Sequence, residues 1–442
     1  MIELRRALRP GNAPQIAFVG AGGKTAAIFT LARQFEMPVL VTSSTHFATD
    51  QTKLAEYHVA IDDAEDIDKI NVGELPAVTI FTSSRYEKGR VVGLSMESLS
   101  ALSEFAQVHG LPLFIEADGA RRLPMKAPAK HEPAIPSFVE IVVVVAGLSA
   151  LGERLGDEVV HRPEGFVELS GLKIGEPISP KAIASVLVHE EGGLKNLPAG
   201  ARKIALLNQA DTDALVSAGR GLADDLLSSF EAVLIAALEK SPDLFAVHER
   251  VAAIVMAAGD SKRLGEPKQL LEWKGKPFVR TVAETALAAK LDPVIVVTGS
   301  NADKVGGALD RLNVQIVNNP IWPNGQSTSV KAGLAALPKS IGAALFMVVD
   351  QPQVPVALIE ALLAVHAGSL APIVAPMVNG QRSNPVLFDR ATFADFAQIK
   401  GDVGGRAIFS KHQVTWLPWL DASLSIDVDV PEDYDRLLRQ AG

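Results

Sequence analysis

Short apolar runs rich in valine and isoleucine recur along this chain, each followed by a stretch with helical spacing, and that alternation restricts what it can fold into. Read as strands, the runs are Ile16–Val19, Pro38–Thr42, Ala77–Phe81, Leu113–Ala117, Ile141–Ala146 and Lys203–Asn208. A second series follows at Ala252–Met256, Pro293–Thr298, Val314–Val317, Ala343–Val349, Ile373–Met377 and Pro385–Phe388. Runs apolar at every position suit strands buried on both faces, and helical crossovers between them make parallel sheets. Such sheets bind ligands beyond the carboxyl ends of their strands. With 442 residues the chain exceeds what one core usually holds, so two α/β domains are expected. A helix-like segment, Leu222–Leu238, precedes the breaker Ser241-Pro242, which sets the boundary between Glu239 and Arg250 and gives domains 1–240 and 250–442.

Bulk composition narrows the partners. Hydrophobic content of 48% with 21% charged residues is that of an ordinary globular protein. The net charge of −9 argues against nonspecific binding to nucleic acid or to anionic membrane. With no cysteine, the chain has no disulfide, thiolate metal site or cysteine nucleophile. The first residues, MIELRRALRPGNAPQ, lack a signal peptide's apolar core, and the longest apolar run, Ile141–Leu151, is too short to span a bilayer. A cytoplasmic location is expected.

The second half opens with the densest chemistry, AAIVMAAGDSKRLGEPKQLL from Ala252 to Leu271. A strand feeds a turn at Gly259, and Arg263, Gly265 and Lys268 follow. Backbone amides at such a turn approach phosphate closely, and the two cations offset its charge. The spacing matches neither the P-loop nor the dinucleotide fingerprint, and it points to attack at the α-phosphate of a nucleoside triphosphate. Asp350 closes the strand Ala343–Val349 and Pro352 stops it, while Asp427 and Asp429 lie in IDVDVPEDY. Two carboxylates from separate strand ends would clamp Mg²⁺, which keeps waters and substrate phosphates as its other ligands. Each piece has a plainer reading: an Asp after a strand is commonly a cap, and a glycine loop is commonly a turn.

Taken in order, AAGDSKRLGEPKQLL, WPNGQSTSVKAG, VVDQPQV, RSNPVLF, GDVGGR and IDVDVPEDY resemble the MobA-like nucleotidyltransferases, and among them the molybdenum cofactor cytidylyltransferases of MocA type. The resemblance implies a Rossmann-like nucleotidyltransferase domain. It places Ala257, Ala258 and Gly259 under the nucleotide, Arg263 and Lys268 on its phosphates, and Asp350 and Asp429 on Mg²⁺. It also implies CTP as donor, the molybdopterin terminal phosphate as acceptor, and acceptor contacts from Asn384, Pro385 and Arg406. The guanylyltransferase branch usually has glycine where Ala258 stands, which favours CTP over GTP. Val349 and Ser383 stand where the family usually has glycine, and both bear on acceptor fit. Ser327 and Ser329 would touch base or phosphate, or else cap a helix. Two rivals remain: the same chemistry with GTP or a sugar phosphate, and a nucleotide-gated cofactor carrier without transfer chemistry.

The first half carries QIAFVGAGGKT, a strand, a glycine loop, Lys24-Thr25 and a helical pattern. It reads as a shortened P-loop, with Phe18 at the position of the first glycine. Gly20, Gly22 and Gly23 would cradle phosphate, Lys24 would reach the β and γ oxygens, and Thr25 would ligate Mg²⁺. Glu116 and Asp118 end a buried strand as a Walker-B acid would. LLNQAD, with Asn208, Gln209 and Asp211, imitates a base-reading motif. Lys126, His131, His161 and Arg162 would line an anionic pocket, or Lys126 and Arg162 are surface cations and His131 a loop hydrogen-bonder. His46, His131 and His161 lie far apart for a zinc site. EADGARRLPMKAPAKHEPAIP and VVHRPE resemble the YqeC-type accessory proteins of selenium-dependent molybdenum hydroxylase systems. That resemblance implies a P-loop-like three-layer α/β domain and a nucleotide-binding role in maturing a molybdenum hydroxylase of the xanthine dehydrogenase type. Small-molecule substrates, and no nucleic acid or membrane, complete the expected partners.

Overall fold

The computed structural model describes residues 1–261 and 263–440, so Gly442, the expected end of the second domain, lies outside the described residues. The chain divides into two compact units, Met1–His248 and Glu249–Gly442.

The first unit is built on ten strands: β1 Ile2–Glu3, β2 Gln15–Gly20, β3 Val39–Ser43, β4 Tyr57–Ala60, β5 Val78–Thr82, β6 Leu113–Glu116, β7 Ile141–Gly147, β8 Arg202–Asn208, β9 Ala232–Ala236 and β10 Asp243–Glu249. Their order across the sheet is β1-β10-β9-β8-β7-β2-β6-β3-β5-β4. From β9 to β4 every neighbour runs parallel. The central strands are buried along their whole length, which is why β7 reads IVVVVAG without a polar position. Helices Lys24–Ala32 and Met96–His109 are among those covering the sheet, and Ser95 caps the second by accepting from the Ser98 amide.

One expectation fails here. The segment Leu222–Leu238 is not one helix: Asp213–Leu226 is helical and Ala232–Ala236 is the buried strand β9. The apolar run AVLIAAL satisfies either period when buried on all sides, so spacing alone misassigned it. The next strand, β10, lies beside β9, and the first sheet therefore extends past residue 240.

The second unit holds an eight-stranded sheet: β11 Val251–Ala257, β12 Val294–Thr298, β13 Gln315–Asn318, β14 Ala343–Val348, β15 Ile373–Val378, β16 Gln381–Arg382, β17 Val386–Asp389 and β18 Val414–Pro418. The order is β13-β12-β11-β14-β17-β15-β16, with β18 on β15. Strands β13 to β14 are parallel, whereas β17 runs antiparallel to both β14 and β15. The purely parallel sheet expected from the alternation is thus mixed: β17 enters after the short β15–β16 hairpin at Asn379-Gly380, with no helix between to reverse the chain. No helix among the described residues is long and apolar enough to cross a membrane.

Candidate active site

At the carboxyl edge of the second sheet, β11 delivers Ala257, Ala258 and Gly259, and β14 delivers Asp350 two residues beyond its end. A cleft of about 910 Å³ opens there, within the range of small-molecule sites. A methyl group on Gly259 would meet nothing within 4 Å, so this wall leaves room for a ligand to approach the backbone. Gln269, fully buried, donates from Nε2 to the carbonyls of Ala257 (3.1 Å) and Gly259 (2.6 Å) and fixes the turn.

Lys268 is the centre of the cleft's charge. Its ammonium lies 2.5 Å from Asp350 Oδ2 and 3.2 Å from Asp429 Oδ1. Burial pulls its pKa down, but the two carboxylates outweigh that and the net shift is upward. Arg263 reaches Asp429 at 3.4 Å from the exposed side. Asp429 comes not from a strand end, as expected, but from the irregular segment before helix Pro431–Gln440; the Val428 amide donates to the Asp350 carbonyl (3.1 Å) and holds that segment against β14. Asp427 turns away to accept from Gln351 (2.5 Å), and burial, then the charge of Asp350, lifts its pKa to about 6.

Asp350 and Asp429 therefore converge on one point of positive charge. The cleft walls carry Arg263 and Lys268 against Asp260, Asp350, Asp402 and Asp429. A triphosphate entering such a wall needs further positive charge, and paired hard oxygen donors suit Mg²⁺, which retains waters and phosphate oxygens. The residues fit the ion. Among the described residues no three metal-capable side chains come together as a site, His46, His131 and His161 included.

The other expected residues divide. Ala258, Gly259 and Ser329 line the cleft, whereas Ala257 lies beneath it. Ser327 is buried inside helix Gln326–Ala335, its amide bonded to the Gly401 carbonyl (3.1 Å), and it neither lines the cleft nor caps the helix. Asn384, Pro385 and Arg406 do not reach the cleft wall. Ser383 donates to the Leu424 carbonyl (2.9 Å), whereas Val349 does face the cleft. Sequence reasoning passed over Gln269, Trp322 and Asp402; a polar residue directly after the motif lysine was the available sign for the first.

In the first unit, Gly22, Gly23, Lys24 and Thr25 line a cleft of about 480 Å³ with Arg33, Arg90, Arg121 and Arg122. A methyl on Gly22 (φ 81°) would sit 2.3 Å from the Gly147 amide, so only glycine lets this loop pack on β7. Glu116 faces the cleft and accepts from Thr25 Oγ1 (3.0 Å). Asp118 does not: it is buried, accepts from the Gly20 amide (2.9 Å) and lies 3.1 Å from the Lys24 ammonium. Lys24 also donates to the Gly20 carbonyl (2.7 Å). Burial lowers the Lys24 pKa, yet Asp118 and Glu116 raise it overall, while burial lifts Glu116 against the pull of Lys24. The shorter contact identifies Asp118 as the lysine's ion-pair partner, with Glu116 at 3.8 Å more weakly held.

Asn208, Asp211 and Gly20, like Asp118, do not line this cleft. Asn208, fully buried, donates to the Gly22 carbonyl (2.8 Å) and accepts from the Leu238 amide (3.0 Å), which ties the glycine loop to the loop after β9. Asp211 pairs with Lys240 at 3.4 Å away from the cleft wall, and Gly20 lies behind it. Lys126 is buried too, bridging Asp118 (2.8 Å) and Glu132 (2.7 Å); Glu132 is held at a pKa of about 2, where burial would raise it but Arg162 and Lys126 prevail.

A glycine turn at the switch edge of a parallel sheet, with paired cations and paired carboxylates around it, defines a nucleotidyltransferase domain. Residues 253–415 match the MobA-like NTP transferase domain, and residues 16–164 match the YqeC protein family. The chain belongs to the MobA-like NTP transferases through its second unit and to the YqeC proteins through its first. YqeC of Escherichia coli (strain K12) is 32% identical over 199 residues, spanning 44% of this chain and 75% of that protein. Nicotine blue oxidoreductase of Paenarthrobacter nicotinovorans is 33% identical over 200 residues, 42% of this chain and 96% of that protein. Molybdenum cofactor cytidylyltransferase of Escherichia coli (strain K12) is 23% identical over 182 residues, 41% of this chain and 92% of that protein. These names cover different reactions, so the reaction is argued from the site.

Proposed function

We propose that the second unit transfers CMP from CTP to the terminal phosphate of molybdenum-loaded molybdopterin, releasing pyrophosphate. The observation that carries this reading is the convergence of Lys268 and Arg263 with Asp350 and Asp429 beneath the Gly259 turn. Alanine rather than glycine at position 258 supports CTP, and similarity to a molybdenum cofactor cytidylyltransferase supports the acceptor. Mg²⁺ held by Asp350 and Asp429 would supply charge neutralisation at the α-phosphate.

The chain's own residues do the rest by position. The Gly259 turn presents backbone to the nucleotide, and Lys268 and Arg263 bind phosphate oxygens. An oxygen of the acceptor phosphate forms a bond to the α-phosphorus as the bond to the β-phosphate oxygen breaks, and pyrophosphate departs with the electron pair. Both reacting groups are already ionised, so no covalent intermediate or general base is required. The first unit holds a nucleoside triphosphate on Gly22–Thr25 and serves the same maturation, with a molybdenum hydroxylase of the xanthine dehydrogenase type as recipient.

The test is pyrophosphate release by the full chain with Mg²⁺ and molybdenum-loaded molybdopterin, comparing CTP, GTP and ATP. Release with CTP, lost in Asp350→Asn, is the expected result. Release with GTP alone would transfer the reading to guanylyl chemistry. Cofactor binding without release from any nucleotide would make the chain a carrier.

A further inference from the structure

The order of strands in the first sheet gives the glycine loop two distinct sides. The glycine loop follows β2, the middle strand of β8-β7-β2-β6-β3. On the β8 side the first cleft is walled by Gln209, Leu238 and Glu239. On the β6 and β3 side it is walled by Glu116, Gly119, Arg121 and His46. Thr25 bonds to Glu116 on that second side, so the phosphate tail of a nucleotide seated on Gly22–Thr25 runs toward β6 and β3.

A second cleft, of about 740 Å³, begins where that tail would end. It shares His46, Arg90, Gly119 and Arg121 with the first. Arg85, Arg90 and Arg121 have no ion-pair partner among the described residues, whereas Arg162 at its floor is committed to Glu132 at 2.9 Å. Four carboxylates also line this space: Glu132 is taken up by Arg162 and Glu87 lies beside His46, which leaves Asp157 and Glu164 as acceptors for hydroxyl groups. Burial, followed by Arg162, Lys126 and Arg121, pushes the His161 pKa down to about 4.

We propose that the second cleft seats the acceptor of a phosphoryl transfer, an anionic small molecule bearing a hydroxyl group that faces the terminal phosphate of the nucleotide in the first cleft. The inference rests on the first cleft being a nucleotide site. Arg85 and Arg121 hold the acceptor's anionic group, and Arg121, on the shared wall, also reaches the phosphate in transit. The acceptor oxygen bonds to the γ-phosphorus, the bond from that phosphorus to the β–γ bridging oxygen breaks, and the nucleoside diphosphate leaves with the electron pair. The hydroxyl proton passes to His46. Its Nε2 lies 3.4 Å from Glu87, leaving Nδ1 as the nitrogen that takes up the proton.

The full chain is incubated with magnesium and γ-³²P-labelled ATP or GTP, with millimolar glycerol 3-phosphate, ribose 5-phosphate or 3-phosphoglycerate as probes. Non-hydrolysable analogues measure nucleotide affinity in parallel. The expected result is label on at least one probe, reduced at least about tenfold in Arg85→Ala with nucleotide affinity unchanged, because Arg85 lines the second cleft alone. Failure of the analogues to bind would overturn the nucleotide reading itself. Analogue binding with label release that none of the probes accelerates or inhibits would overturn the acceptor site, since an occupant there must displace the attacking water.

Discussion

Lys268 stands between two carboxylates that would hold the metal, so the cleft carries its own counter-charge. Mg²⁺ alone should bind weakly and gain affinity once CTP draws the lysine onto phosphate; calorimetric titration of Mg²⁺ with and without CTP measures this. Asp350→Asn should lower pyrophosphate release by roughly two orders of magnitude or more while the fold is retained. Two histidines should make the first unit sensitive to acid. Burial, then Arg220, holds the His248 pKa down at about 4 from its ordinary 6.5, and His161 behaves alike. Both are neutral when folded and gain a proton when unfolded, so their contribution is complete above pH 6.5 and is lost as the pH falls through about 4. Thermal unfolding of the first unit should weaken across that interval, and His248→Phe should flatten the decline.

At the scale of elements, two glycines are demanded both by a close contact and by a left-handed backbone. Gly22 lies against β7, and Gly325 (φ 109°) places its missing Cβ 2.3 Å from the Gly401 carbonyl carbon. Gly325→Ala should displace the start of helix Gln326–Ala335 from the Gly401 loop and cost roughly 2 kcal/mol or more, read as a fall in the unfolding midpoint. The parallel cores of both sheets were legible because fully buried strands spell unbroken Val/Ile runs, as β7 and β12 do. The strand β9 was not, since AVLIAAL comes only five residues after a helix and carries no period of its own. Gly259, Arg263, Lys268 and Asp350, all of which line the cleft, stood out because they follow the ends of apolar strand runs, Asp350 directly and the others in one charged stretch. Asp118 and Asn208 misled for a physical reason: a buried polar side chain beside a phosphate loop is as useful for holding the loop as for touching the ligand, and sequence spacing does not separate the two.

For the molecule as a whole, the glycine-loop cleft of the first unit and the Lys268 cleft of the second should fail separately. Lys24→Ala should remove nucleotide retention by the first cleft without changing CTP-dependent pyrophosphate release, measured side by side on one preparation. The strand order of the first sheet has one more consequence, for how the chain is made. Strand β2 is synthesised well before its sheet neighbours β6 and β7, whose residues begin at Leu113 and Ile141. Until the ribosome has delivered both, an apolar strand destined for complete burial has no partner on either edge. Refolding should therefore be slow, and nascent chains stopped short of residue 147 should depend on chaperones in a way that longer ones do not.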